Sequence, residues 1–533
     1  AKRLAAVLAL GAFFLVPVWA FPLFPSQDGP SHVANSWILR SLLTGGDAAL
    51  AGVYRVNLQP FPNWMSHASL AVLLTFLGPV AAEKVLLTLF LIALPASFRY
   101  ALDALRPGSR ALVALVVPFA YDSSLHLGYY NRAFAAVPFL LCLGFWTRRE
   151  GRLGIRGTAG LAALLTWLYF CAAVSLVLAV VGLGILLAHV TLEEQVRKVP
   201  DRGRALARRG LALAAASLPA LLLLVRFQAR ESGGVVGPGP GPLERLRSLA
   251  ALDFLVSLDA RERWLCSALA ASLAVAFATF LVARARKGGW ARSDALLVLG
   301  ALAAAGYLLA PAVGMAGHGP WGGTVHERIA PHVWLVLLLW LGAQPLGTGI
   351  RRALVASAIG IGVGLVGLRL PRYAELNDHL REYLSVAPWV PARALVLPLS
   401  YAHHGRREDG SALAHGTWPF RHAADWLVPA RGVVNADNYE AEVSFFPVTH
   451  RTGYDPYRLL GSSLDRMPAC VRLARFNRLA PRPAEVVLVW GARWEERDDS
   501  CTEEVRRTLE TQYRRVFVST PRGQAEVYRH VPP

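Results

Sequence analysis

Repeated apolar segments separated by short charged loops are the feature that most constrains the fold of this chain. Only 17% of the residues are charged and 54% are hydrophobic, whereas an average soluble domain has roughly 25% charged residues. This pattern predicts a polytopic, all-α bundle of membrane-spanning helices. The apolar segments lie near residues 4–23, 80–98, 111–121, 132–146, 157–172, 173–190, 210–226, 264–283, 294–311, 329–346 and 353–370.

The net charge of +19 indicates sidedness, not nucleic-acid binding. No nucleic-acid-binding motif accompanies it, and the basic residues concentrate in alternate loops. Loops rich in Arg and Lys stay on the cytoplasmic side of a membrane. On this rule 147–157, 197–210, 284–293 and 351–352 are cytoplasmic, and 237–254 and 317–328 lie outside.

The apolar region 63–100 decides the number of spans. Two spans there would invert every later loop, whereas one span preceded by a membrane-lying helix at about 64–78 preserves the alternation. The second interpretation gives about eleven spans instead of twelve, a cytoplasmic N-terminus and an extracytoplasmic C-terminus. The first segment could also be a signal peptide, but the membranous sequence after it favours an uncleaved anchor, as in a bacterial inner-membrane protein.

The composition changes at residue 370. Residues 1–370, with an outer loop at 24–66, form the predicted transmembrane domain, and residues 371–533 form an extracytoplasmic α/β domain. Short apolar runs predict strands, and "CTEEVRRTLETQ" (501–512) predicts a helix. The predicted strands are 393–400, 485–492, 513–519 and 525–530.

Asp28 is the first candidate site residue, in "SQDGPSHVANSWILRSLL" after the first apolar segment. The residues after Pro30 can form an amphipathic helix lying on the membrane. Asp28 would then sit at the positive N-terminal end of that helix, where a carboxylate stays ionised and can act as a base. The alternative is an ordinary helix cap.

Two further outer loops hold candidate residues. Asp122 and His126 are one helical turn apart and could hold a divalent metal such as Mg²⁺ or Mn²⁺, or form a capped turn. Arg328, with His326 beside it, could clamp a phosphate or anchor at the lipid head groups. The sequence has no nucleotide-binding or hydrolase motif, so no nucleotide cofactor is expected.

The polar C-terminal part carries histidines and cysteines without a compact metal-binding spacing. Its histidines are therefore expected mainly at the surface: His403, His404, His415, His422 and His450. Cys470 and Cys501 could form a disulfide if this part faces an oxidising compartment. Cys142, Cys171 and Cys266 lie in apolar segments and are expected to be small core residues.

The order of these parts resembles the GT-C-fold glycosyltransferases, which include protein O-mannosyltransferases and aminoarabinose transferases. The resemblance is carried by the acid in "QDGPSH" and by the passage 57–90, in which a membrane-lying helix precedes the second span. It implies that Asp28 is the catalytic base and Asp122 the second acid. It also implies that Arg328 binds the donor phosphate, with His326 and His126 nearby. The chain departs from the family in having "SQD" and "YDSS" where many members carry paired acids.

The function implied by the resemblance is transfer of a sugar, with inversion, from a polyprenyl-phosphate donor. The acceptor would be a lipid, glycan or protein at the outer face of the membrane, as in cell-envelope glycan biosynthesis. The alternative is a non-catalytic scaffold, or a lipid or glycan transporter, of the same architecture. A transporter would be expected to carry ionisable residues within its spans or internal symmetry.

Overall fold

A computed structural model describes residues 2–230, 235–236, 239–287, 291–310, 313–314, 325–460, 471–494 and 500–532. It consists of an α-helical bundle followed by a smaller α/β domain. The helices of the first part are Lys2–Trp19, Gly29–Thr44, Ala48–Val53, Trp64–Leu73, Pro79–Leu105, Ser123–His126, Tyr130–Arg149, Ile155–Cys171, Ala173–Val196, Arg202–Arg230, Pro242–Ala251, Glu262–Lys287, Ala295–Leu309, Val325–Ala343 and Thr348–Leu384.

Within the described residues, six helices are long and apolar enough to cross a membrane. The predicted architecture, a polytopic helical bundle with a C-terminal α/β domain, is therefore confirmed. The count of eleven spans stays a prediction, because several of the remaining apolar helices are short. The predicted span 111–121 is a 3₁₀-helix, Arg110–Phe119.

The apolar region 63–100, which decides the predicted number of spans, contains two helices, as predicted. The short helix Trp64–Leu73 is followed by a break, and the long helix Pro79–Leu105 begins after Gly78. Proline at the start of the second helix costs no hydrogen bond there, since the first N–H groups of a helix have no partner within it. The short helix packs against Gly29–Thr44.

The last long helix, Thr348–Leu384, continues through residue 370, so the predicted domain boundary falls inside it. Polar residues are tolerated there because they are paired. Arg369 is buried and donates from Nη2 to Oε2 of Glu262 at 2.7 Å and from Nη1 to the carbonyl of Tyr121 at 2.8 Å. The hydrogen bond to Tyr121 connects the helix to the loop that carries Asp122.

The C-terminal domain has a five-stranded mixed sheet. Its strand order is Val434–Asn435, Leu395–Ser400, Val486–Trp490, Ala525–His530 and Tyr513–Val518, with parallel pairs among the first three strands and antiparallel pairs among the last three. The four predicted strands and the predicted helix, found as Ser500–Gln512, are confirmed. The other helices of this domain are Leu427–Arg431, Tyr439–Glu442, Pro456–Leu460 and Leu473–Leu479.

A short antiparallel ladder joins the two parts. Strand Tyr54–Val56 of the first outer loop pairs with Val448–His450 of the C-terminal domain. The connection places the segment 421–450 over the start of the first outer helix, which also contacts the 3₁₀-turn Ala423–Trp426. Residues distant in sequence therefore meet around Asp28.

Candidate active site

The carboxylate of Asp28 does not cap the helix that follows it. Asp28 occupies the N-cap position of Gly29–Thr44, yet its side chain makes no capping hydrogen bond. Oδ1 instead accepts from Nε2 of Gln27 at 3.0 Å, and Oδ2 accepts from the hydroxyl of Tyr439 at 2.9 Å. The helix-cap alternative therefore does not account for this side chain.

Burial changes the acidity of Asp28. Only 6% of the residue is exposed, and burial raises its pKa to about 7, although the hydrogen bonds from Gln27 and Tyr439 act in the opposite direction. Nε2 of His422 lies 3.7 Å from Oδ1. A carboxylate with a near-neutral pKa is suited to take a proton from an alcohol and release it again.

The loop that carries Asp122 supports Asp28 through its backbone. The amides of Gln27 and Asp28 donate to the carbonyls of His126 and Leu127, at 3.0 and 3.1 Å. Gly128 closes this contact with φ +74°, and a Cβ added there would lie 2.7 Å from the amide nitrogen of Asp28. Only glycine allows the two loops to approach this closely.

We expect Gly128→Ala to destabilise the protein and disturb the site. Overpacking typically costs about 1–3 kcal/mol, in addition to about 1 kcal/mol for the left-handed backbone conformation. The measurement is thermal unfolding of the detergent-solubilised protein. Gly410→Ala is the control, because Gly410 has φ +84° and open space around it. Equal losses in the two variants would contradict the packing role of Gly128.

The C-terminal domain supplies the other half of the site. Ser31 donates a hydrogen bond to Asp425, and Nδ2 of Asn35 donates to Oδ1 of Asn438 at 3.1 Å. Tyr439, next to Asn438, reaches Asp28 as described above. Sequence reasoning did not identify these residues because no local motif marks the segment "NADNYE" (435–440); only the fold brings it to Asp28.

The prediction of a surface position is wrong for three of the five histidines named in the sequence analysis. His403, His422 and His450 are buried, with exposures of 0, 5 and 7%. Their burial follows from the way the segment 401–450 packs between the sheet and the outer loops. The predicted pair of Cys470 and Cys501 lies outside the described side chains.

Asp122 and His126 do not converge as metal ligands. The carboxylate of Asp122 accepts from the amide of Leu125 at 3.2 Å and caps the short helix Ser123–His126. The ring of His126 has Nδ1 3.3 Å from the carbonyl of Asp122 and Nε2 2.6 Å from the hydroxyl of Tyr373. Among the described residues, the groups with converging ligand atoms are His32–His67–Glu440 and Glu442–His450–Asp455.

A second arginine, Arg132, lies near Arg328. Nη2 of Arg132 donates to the carbonyl of Glu327 at 2.5 Å, whereas Nε and Nη1 are shielded from solvent without a hydrogen-bond partner. Arg132 lines a cavity of about 250 Å³ with Ser123, Tyr307 and Glu327. His326 packs edge-on against Tyr307 beside this cavity. The described residues that line the cavity include one arginine, Arg132, and two acids, Glu327 and Asp253. The unsatisfied N–H groups of Arg132 are suited to bind the oxygens of an anion.

Tyr129 connects the acid to the arginines. Burial and the nearby charge of Asp28 raise the pKa of Tyr129 above its ordinary value, while Arg132 and Arg328 lower it. The hydroxyl is therefore within electrostatic reach of both groups. Asp28 and the two arginines therefore lie near the same tyrosine, although Asp28 is not among the described residues that line the cavity.

Comparison with known proteins supports the fold. No family model and no curated protein matches the chain. Among solved structures, the crystal structure of ArnT from Cupriavidus metallidurans in the apo state matches over 100% of this chain and 99% of that chain, with a TM-score of 0.50 and 11% identity. At this identity the match concerns the fold alone. The resemblance to GT-C-fold glycosyltransferases of the aminoarabinose transferase type is thereby confirmed at the level of fold across the whole chain.

Proposed function

We propose that this protein is a membrane glycosyltransferase that uses a polyprenyl-phosphate-linked sugar and an acceptor at the outer face of the membrane. The observation that carries the proposal is that a buried acid that does not cap its helix, Asp28, and two arginines, Arg132 and Arg328, lie near the same tyrosine, Tyr129. The ArnT-like fold supports it, as does the absence of a nucleotide-binding motif from the sequence.

The donor phosphate would occupy the cavity beside Arg132. Its unpartnered Nε and Nη1 supply two charged N–H donors, each of which can bind a phosphate oxygen. Arg328 adds a second positive charge next to Arg132. These groups stabilise the negative charge that grows on the phosphate as the sugar departs.

Asp28 would act on the acceptor. Its carboxylate removes the proton of an acceptor hydroxyl, whose oxygen forms a bond to the anomeric carbon. The bond from that carbon to the phosphate oxygen breaks, and polyprenyl phosphate leaves toward the arginines. Attack from the side opposite the leaving group inverts the anomeric configuration. Tyr439 and Gln27 hold the carboxylate in place through their hydrogen bonds.

The experiment uses the full chain in proteoliposomes with radiolabelled polyprenyl-phosphate sugars and an envelope lipid extract. The proposal predicts protein-dependent transfer of the label to a new product, with release of polyprenyl phosphate. Movement of the labelled lipid across the bilayer without chemical change would instead identify a transporter and contradict the proposal.

The rate is expected to depend on pH through Asp28. Its pKa lies at about 7, chiefly because the group is buried, and only the ionised form accepts a proton. Below pH 7, kcat/KM should therefore fall about tenfold per pH unit and reach a plateau above it. A pH profile of initial rates checks this. A falling limb near pH 4, the ordinary range of aspartate, would contradict the assignment of Asp28 as the base.

A further inference from the structure

Three metal-ligating side chains meet behind Asp28. His32 comes from the first outer helix, His67 from the membrane-lying helix and Glu440 from the C-terminal domain, and each is at most 4% exposed. Nε2 of His67 lies 2.7 Å from Oε2 of Glu440, and Nδ1 of His32 lies 3.1 Å from Oε1. The two ring nitrogens are 3.2 Å apart.

Backbone carbonyls determine where the protons of the two rings lie. Nδ1 of His67 is 3.2 Å from the carbonyl of Asn63, and a hydrogen bond to the backbone of Gly128 engages His32. A neutral ring that donates to a carbonyl presents its other nitrogen as a lone pair. In these tautomers the nitrogens that face Glu440 are lone pairs able to bind a metal ion; in the other tautomer of His67, Nε2 donates to Oε2 of Glu440 at 2.7 Å.

Protons alone cannot satisfy every contact among His32, His67 and Glu440. One proton would satisfy one histidine–glutamate contact and leave a lone pair against a carboxylate oxygen in the other. Protonating both rings would place two buried cations against a single carboxylate, which is costly away from water. In addition, Oε1 of Glu440 has no hydrogen-bond partner, although it is shielded from solvent.

We propose that His32, His67 and Glu440 bind a divalent transition-metal ion, with Zn²⁺ as the preferred ion. Two imidazoles and one carboxylate are a known ligand set for zinc. Bonds of roughly 2.0–2.1 Å at tetrahedral angles separate ligand atoms by about 3.3 Å, close to the distances of 2.7 to 3.2 Å found here.

The ion would connect three elements that build the active site. Glu440 follows Tyr439, whose hydroxyl donates to Asp28. A metal bond to Glu440 therefore fixes the position of Tyr439 and joins the C-terminal domain to the first outer helix. In this arrangement the ion positions the site without contacting the reacting atoms.

The test measures metal content and needs no turnover, so it can succeed or fail independently of the proposed glycosyl transfer. The full chain is purified in detergent without added metal, and zinc is quantified by mass spectrometry. About one zinc per chain is expected. After removal of zinc by chelation, added Co²⁺ should give the visible absorption of a tetrahedral site.

Variants locate the ion. Glu440→Gln and His32→Asn should lose most of the zinc, whereas the control His379→Asn should retain it. His379 is equally buried but is hydrogen-bonded to Gln524. If a variant does not fold, the wild-type zinc content and Co²⁺ spectrum decide the question. A wild-type protein that holds no zinc and gives no Co²⁺ absorption would overturn the proposal, as would equal zinc loss in the control.

Discussion

Replacement of Asp28 by asparagine is expected to lower the turnover of a lipid-linked sugar by about 10²–10⁴-fold, the usual contribution of a general base. Asparagine has nearly the same shape and can still accept a hydrogen bond from Tyr439. It also remains a suitable residue at a helix N-terminus. The variant should therefore stay folded, with an unchanged unfolding temperature, while the chemical step fails for lack of a proton acceptor.

Asp47→Asn provides the matched control. Asp47 belongs to the same outer loop and is a true cap, because its side chain accepts from the amide of Ala49 at 2.8 Å. Asparagine keeps that cap, so turnover should be close to that of the wild type. If Asp28→Asn also showed nearly normal turnover, Asp28 would be removed from the role of base.

Replacement of Arg132 by glutamine should be the second most damaging change. The loss of one charged donor to a developing anion costs about 10²–10³-fold in rate. Glutamine at this position removes the positive charge and the two N–H donors without partners, Nε and Nη1. We expect kcat/KM for the donor to fall by this amount, together with the affinity for free polyprenyl phosphate. Initial-rate kinetics in detergent separate the two effects.

Arg148→Gln tests whether the effect belongs to the cavity. Arg148 lies at the opposite end of the same helix, where its guanidinium stacks over the ring of Tyr100 at 4.3 Å. Its replacement removes the same charge without touching the anion site. Equal affinities of the wild type and Arg132→Gln for polyprenyl phosphate would show that the phosphate binds elsewhere.

Local sequence patterns predicted the parts of the structure that depend on local chemistry. The four strands of the C-terminal domain were readable from short apolar runs in a polar segment. The separate helix Trp64–Leu73 was predicted because a single span in this region preserves the alternation of basic loops. The place of Asp28 in front of a helix was equally readable from "DGPSH". Its hydrogen bonds were not, since Tyr439 lies more than 400 residues away in the chain.

The remaining differences have physical causes that spacing does not show. The helix continues past residue 370, where the buried Arg369 is paired with Glu262. Asp122 and His126 are one turn apart, but a capped turn uses the carboxylate and Tyr373 takes the imidazole. The sequence did not indicate Arg132, because its interest lies in hydrogen-bond donors that have no partner beside a cavity. Tertiary packing alone produces that situation.

The most direct test of a lipid-linked donor is native mass spectrometry of the purified wild type and Arg132→Gln during titration with polyprenyl phosphate. The proposed function predicts saturable binding of one polyprenyl phosphate to the wild type in competition with ordinary phospholipid, and much weaker binding to the variant. A wild type that carries only phospholipid throughout the titration would contradict it.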